Sequence, residues 1–485
     1  MSAMAASRRR LIGVPWTLLA AACCAMAALA AAAGVIVLGP AAALVPFVAA
    51  ALFFIATRPR MSACVLFAAG IALDSRATDV TKPLALGLWA FPRGVQDALP
   101  LTVNPFEVLL ALVTASVMAR PAARPSGGLP GLVRLVPFVM LAGMVYGLGR
   151  GGPGNLVYHE TRGLIFGAMA FVVTWRLQPS SREVAGVAIA GTSALGLLTI
   201  FRYVSTLSGG RSGIPVEFWF EHETGLLLSV GGVLGMGLAI RLPRDRDRVL
   251  AFLYVVLMAS AILVTGRRSA ILVILVGVMV MAWMLLPKRT LLLTAIGVPL
   301  LFVSAVYLAI YWDGHSGPLA EPARAVRSQF QPDARDESSD LYREHERENL
   351  QRTLAKSPVF GIGFGLPYTR YVDLPVLGFW PLQFYTPHQN ILWLWLKMGI
   401  AGIAVFAGMW VLAFSRCVRG ARAVARKAPI PAMPIVLGSV LVMYLAYARV
   451  DIAFAGVRSS GPLAVALALA FMLPAEPGRR EAGDA

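Results

Sequence analysis

Residues 249–289 read VLAFLYVVLMASAILVTGRRSAILVILVGVMVMAWMLLPKR. Two uncharged apolar runs, 249–266 and 269–287, are parted by Arg267 and Arg268 and closed by Lys288 and Arg289. A helix needs about 20 apolar residues to cross the hydrocarbon core of a bilayer, so the stretch reads as two membrane helices joined by a tight turn. The pattern recurs along the chain, near 14–38, 40–56, 61–73, 105–119, 131–149, 162–177, 184–207, 223–240, 290–311, 389–414, 430–448 and 455–473. With the first pair this makes 14 spans, or 12 if 40–56 and 61–73 form one re-entrant hairpin. The expected fold is therefore all-α, a polytopic integral membrane bundle of 12–14 transmembrane helices with one long extracytoplasmic loop.

Composition points the same way. Hydrophobic residues make up 58% of the 485 and charged ones only 14%, which excludes a soluble enzyme. Arg8 to Arg10 precede an apolar stretch from Leu11 to Leu38. That stretch is longer than a signal-peptide core, so it is expected to be a membrane helix. The net charge of +18 would suit a nucleic-acid partner if it were clustered on one face. With the N-terminus inside, however, the inner connectors hold 23 cations and six acids, so nearly all the excess is a positive-inside topology signal. No nucleic-acid partner is expected. Cys23, Cys24, Cys64 and Cys417 show no disulfide framework or thiol metal site.

The outer connectors are then 74–104, 150–161, 208–222, the break at 266–268 and a long loop from about 312 to 387. This divides the chain into an N-terminal bundle (1–311), the loop (312–387) and C-terminal helices (388–485). Within the loop, 340–356 reads as an amphipathic helix, lying on the membrane surface or packing over the bundle. Gly361-Ile362-Gly363-Phe364-Gly365 lacks the strand and helix context of a nucleotide loop, so it reads as a turn for close backbone packing.

Of five histidines, His388 stands at the outer start of a membrane helix, after Tyr385-Thr386-Pro387. An imidazole at the water boundary is suited to general-base work, and equally to a capping or interfacial role. After Gln389 come nine residues, then Gly399-Ile400-Ala401-Gly402. In a continuous helix eleven steps bring Gly399 to within roughly 20° of His388, and small residues on that stripe would admit a neighbouring helix.

These residues resemble the bacterial O-antigen ligase and O-antigen polymerase superfamily. Its ligase motif, His followed by Asn, Ser or Gln, nine residues and Gly-x-x-Gly, is matched by His388-Gln389 through Gly399 and Gly402. A second motif, Arg-x-x-x-Leu, is matched by Arg268 to Leu272. The chain departs from many relatives at Phe220-Glu221-His222-Glu223-Thr224, where an Asn is common. The resemblance implies a donor glycan on a polyprenyl diphosphate, an acceptor that is a lipid A core sugar or another glycan, and a site on the periplasmic side of the bacterial inner membrane.

The arginines fit that implication. Arg162, Arg211, Arg267 and Arg268 fall at outer ends of different expected helices, and Arg202 lies one to two turns inside another. Guanidinium forks bind diphosphate oxygens bidentately, and Arg268, Arg211 and Arg162 are the expected clamp. Pairing with Glu160, Glu217, Glu221 or Glu223 is the structural alternative. His388 would take the acceptor hydroxyl's proton in a single inverting displacement, with no metal ligand set and no cofactor. Trp380 and Tyr385 are candidate glycan contacts, whereas Trp393 and Trp395 fit an interfacial belt. Lys397 has two candidate partners, Glu107 and the lipid diphosphate. The rival function is a lipid-linked glycan flippase, for which internal repeats and cations deep in both halves would be the signs.

Overall fold

Inside a bilayer every backbone N–H and C=O must find its partner within the protein, which leaves helices or closed barrels. The computed structural model describes residues 45–74, 89, 103–121, 129–208, 220–241, 245–314, 320–328, 330–332, 334–376, 382–424 and 432–473, and among them there are helices and no strands. The expected span at 14–38 lies outside the described residues. In chain order the helices are α1 (Val45–Thr57), α2 (Pro59–Ala72), α3 (Pro105–Met118), α4 (Gly131–Gly149), α5 (Gly154–Leu177), α6 (Ser181–Ser208) and α7 (His222–Arg241). They continue with α8 (Asp245–Val264), α9 (Arg268–Tyr311), α10 (Glu321–Arg327), α11 (Ala334–Lys356), α12 (Asn390–Val424), α13 (Ala432–Ala448) and α14 (Val457–Met472). The fold is a polytopic helical membrane protein.

Among the described residues seven helices are long and apolar enough to cross a membrane: α4 to α8, the first part of α9 through Leu285, and α12. The helix α3, the last part of α9, α13 and α14 are apolar but shorter. Two expected spans, 269–287 and 290–311, fall in the 44-residue α9, which as a straight rod would be about 66 Å long. Its ends are nevertheless bridged. Arg268 donates to Ser328 Oγ at 3.0 Å, and the neighbouring Arg327 donates to the Trp312 carbonyl. So the chain doubles back within α9, as two opposed spans require.

By contacts the chain divides into Met1–Ser62 and Ala63–Ala485, and everything below concerns the second unit. Its core gathers around α13, where Leu441, Met443, Tyr444 and Tyr447 are fully buried. That helix packs on α7, α9, α12 and α14, and α14 in turn lies along α5. Local sequence fixes the helix ends where it can. Asn104 caps α3 by accepting the Glu107 N–H at 2.9 Å, Glu107 returns the bond at 2.7 Å, and Pro105 sits in the first turn.

The glycine turn at 361–365 packs backbone against backbone, as its sequence implies. Its Ile362 N–H donates to the Leu396 carbonyl at 2.6 Å, and a Cβ on the facing Gly147 would lie 1.9 Å from the Phe364 carbonyl oxygen. The helix-wheel expectation for the His motif, in contrast, does not hold. The helix starts at Asn390, not His388, and is broken at Gly399, whose φ of 65° and ψ of −167° are open essentially to glycine alone. With no continuous helix between them, His388 and Gly399 do not share a stripe. Gly399 admits the 359–360 turn instead: its missing Cβ would lie 2.1 Å from the Val359 carbonyl oxygen, which accepts the Ile400 N–H at 2.9 Å. At Gly402 the nearest obstacle is Met398 of the preceding turn, with its Cβ 2.2 Å away. Gly399→Ala should therefore cost about 1–3 kcal/mol from backbone strain alone, and more from the clash. A thermal unfolding midpoint in detergent equal to wild type would contradict this.

Candidate active site

His388 does not sit on a bare membrane surface. Its backbone N–H donates to Glu346 Oε2 at 2.9 Å, and its Nδ1 lies 3.3 Å from Glu346 Oε1. Glu346 has no exposed surface. Its helix α11 turns a face of Glu346, Asn349, Leu350, Thr353 and Leu354 inward against α12 and the 361–374 turn. On that face the helix packs over the bundle, while Leu341 stays exposed. A carboxylate at Nδ1 selects the Nδ1–H tautomer and leaves Nε2 as the basic atom. Tyr342, one turn before Glu346, meets the His388 ring edge-on at 5.8 Å. Burial, and then Glu346, push its phenol up to about 12.

Two residues on from His388, Asn390 is buried and locks this turn to the α13–α14 connector. Its Oδ1 accepts the N–H groups of Ala453 and Phe454 at 2.9 and 2.8 Å, while its Nδ2 donates to Pro387. The same connector supplies Asp451, and α7 begins at His222, whose ring centroid is 6.0 Å from that of His388. His222 Nδ1 is 3.0 Å from Asp451 Oδ2, and Arg267 donates to the Phe220 carbonyl at 2.6 Å beside it. Burial would raise the Asp451 carboxyl, but His222, His388 and Arg267 hold it well below the usual carboxylate range. Two imidazoles, each on its own buried carboxylate, thus share one end of the bundle with a guanidinium.

The other sequence-selected residues fall around this group. Arg268 points away from His222 toward the loop, 3.4 Å from Asp336 and 3.5 Å from Asp340. Its own turn contains no acid, and the partners come from α11, which sequence adjacency could not reveal. Leu272 and Gln389 are half-buried. Arg162 is paired with Glu107 at 2.9 Å, and Arg202 with Asp74 at 3.8 Å. Lys397 pairs with Glu160 at 2.7 Å rather than with Glu107. Tyr385 places its ring 5.9 Å from Lys397 Nζ. Arg211 and Trp380 lie outside the described residues.

Four residues of the site were not singled out from sequence: Glu346, Asn390, Asp451 and Arg458. Arg458, in the first turn of α14, donates to Glu221 at 2.5 Å and to the Ile71 carbonyl at 2.8 Å. Burial, and then Asp74, push the Glu221 carboxyl up to about 7, although Arg458 pulls it down. An arginine opening an apolar helix was the available signal for Arg458, because a cation there needs a partner. Among the described residues no three His, Cys, Asp or Glu side chains gather as a metal-ligand set.

Fold and site together define a multi-pass membrane protein with a carboxylate-held histidine pair at the loop-bearing end. Residues 253–407 match the O-antigen ligase family, and that segment of the chain is similar to it. The match takes in both Arg268–Leu272 and His388–Gly402. It supports a ligase or polymerase role in glycan assembly. No curated protein matches the chain.

Proposed function

We propose that the protein moves a glycan from a polyprenyl diphosphate carrier to an acceptor hydroxyl, a lipid A core sugar or another glycan, at the periplasmic face of the bacterial inner membrane. The observation that carries this reading is His388 with its Nδ1 on buried Glu346. Nε2 takes the acceptor's proton as its oxygen attacks the anomeric carbon. The bond from that carbon to the diphosphate oxygen breaks with its electron pair, giving inversion in one displacement. Charge grows on the leaving diphosphate, so cations already in place stabilise the transition state more than the ground state. Arg267 lies beside His222, and Arg268 reaches the donor by exchanging Asp336 and Asp340 for phosphate oxygens. Arg162 is held by Glu107 and would join Arg268 and Arg211 in the clamp by the same exchange.

The test is glycan transfer by the purified protein in liposomes, given a polyprenyl diphosphate oligosaccharide and candidate acceptors. Transfer is expected to survive EDTA. In Arg268→Ala it should fall by about 10²–10³, the loss found when one preorganised charge stabiliser is removed. The acceptor that works separates ligase from polymerase. No transfer with any acceptor, with carrier movement across the bilayer instead, would replace the reading with a flippase.

A further inference from the structure

The displacement proposed above gives His222 no task, yet its surroundings are as constrained as those of His388. Its Nδ1 lies 3.0 Å from Asp451 Oδ2 and 3.2 Å from Arg267 Nη1. A carboxylate only accepts and a guanidinium only donates, so Nδ1 can serve one of them at a time; carrying its proton it donates to the buried carboxylate, and Arg267 stands beside the ring as a second cation. The backbone is fixed too, because the Tyr447 hydroxyl lies 2.5 Å from the His222 carbonyl oxygen and 3.1 Å from Asp451 Oδ2. The side chain keeps 37% exposure, against 2% for that of Asp451. One edge of the imidazole is therefore spent on Asp451, and Nε2 is the atom left for a ligand.

We infer that His222 and Arg267 form a diphosphate site whose affinity is set by protonation of the imidazole, and this rests on the polyprenyl diphosphate reading above. The groups facing His222 are Asp451 from the α13–α14 connector, Arg267 from the α8–α9 turn, and His388 backed by Glu346 from the turn before α12. Tyr447 of α13 adds no charge. Asp451 and Glu346 offset two cations. With His388 neutral, the group is balanced when His222 is protonated and net negative when it is not, so the protonated form repels an anionic diphosphate less. Binding therefore favours the imidazolium, and by linkage the diphosphate is held most tightly when His222 is protonated and less tightly as pH rises through the imidazole range. A neutral Nε2 carries no proton and meets a phosphate oxygen with a lone pair.

The experiment measures binding of farnesyl diphosphate to the full-length protein in detergent at several pH values, in wild type, His222→Gln and His222→Arg. Wild-type affinity should fall about tenfold between about pH 5.5 and about pH 8 relative to His222→Arg. The arginine variant stays cationic throughout, so it carries only the ligand's own ionisation. His222→Gln should bind weakly at both ends. A pH slope shared by all three proteins overturns the inference while leaving the donor reading intact. Failure of wild type to bind at any pH removes the donor reading and the inference with it. Proton uptake on binding to wild type, read by calorimetry in buffers of different ionisation enthalpy, tests the same point without any variant. Uptake should be above zero near pH 7 and smaller in acid, and none at either pH overturns the inference.

Discussion

Glycan transfer in His388→Ala should fall by about 10²–10⁴, the contribution general-base catalysis makes when the base is removed. Glu346→Gln should retain more activity than His388→Ala and less than wild type. The amide oxygen can still accept the Nδ1–H, but its NH2 then faces the His388 backbone N–H that Glu346 also accepts, and the amide withdraws the negative charge that favours the imidazolium formed as the acceptor's proton is taken. The two losses should not add in the double variant, because Glu346 acts on the reaction through His388. The test is the rate at saturating donor, measured alongside donor affinity. Donor affinity should be little changed in His388→Ala, since the loss lies in the chemical step. An equal loss in donor affinity with an unchanged saturated rate would assign His388 to binding and overturn its role as base.

How much of this was legible depends on which interactions lie along the chain and which lie across it. The apolar runs and their cationic ends gave the helical class and the order of the spans, and the boundary position of His388 singled it out among five histidines. Its partner was not readable. Leu350 and Leu354 mark the inward face of α11, but no local pattern says that Glu346, Asn349 and Thr353 turn inward with them. Asp451 is one acid in a short connector, and only the packing of α13 and α14 against α7 brings it to His222. The break at Gly399 was hidden for another reason. A Gly-x-x-Gly in an apolar helix reads as a close-packing face, and sequence alone does not say that one of those glycines has φ of 65°. Arg268 had its acids 68 and 72 residues away, on a helix whose register over the bundle no local pattern sets.

Lys397→Met should destabilise the protein by about 3–5 kcal/mol, the usual cost of removing one partner of a buried ion pair. Both Lys397 and Glu160 have no exposed side-chain surface, and their charged atoms are 2.7 Å apart. Without the ammonium, Glu160 keeps its bond from the Gly365 N–H but has no cation to offset its burial. Lys397 also donates to the Leu366 carbonyl, so the pair ties α5 and α12 to the glycine turn that leads back toward His388. Replacing both partners, as Lys397→Met with Glu160→Gln, removes the stranded charge while the amide oxygen still accepts from Gly365. Its loss should therefore be smaller than that of Lys397→Met alone, because ion pairs buried in protein are costly to break and cheap to replace together. Thermal unfolding midpoints in detergent give the comparison, with glycan transfer measured well below each midpoint. If the lysine is structural, the double variant recovers both stability and transfer. A double variant as stable as wild type but inactive would instead place Lys397 at the lipid diphosphate, with Glu160 holding the ammonium only until the donor arrives.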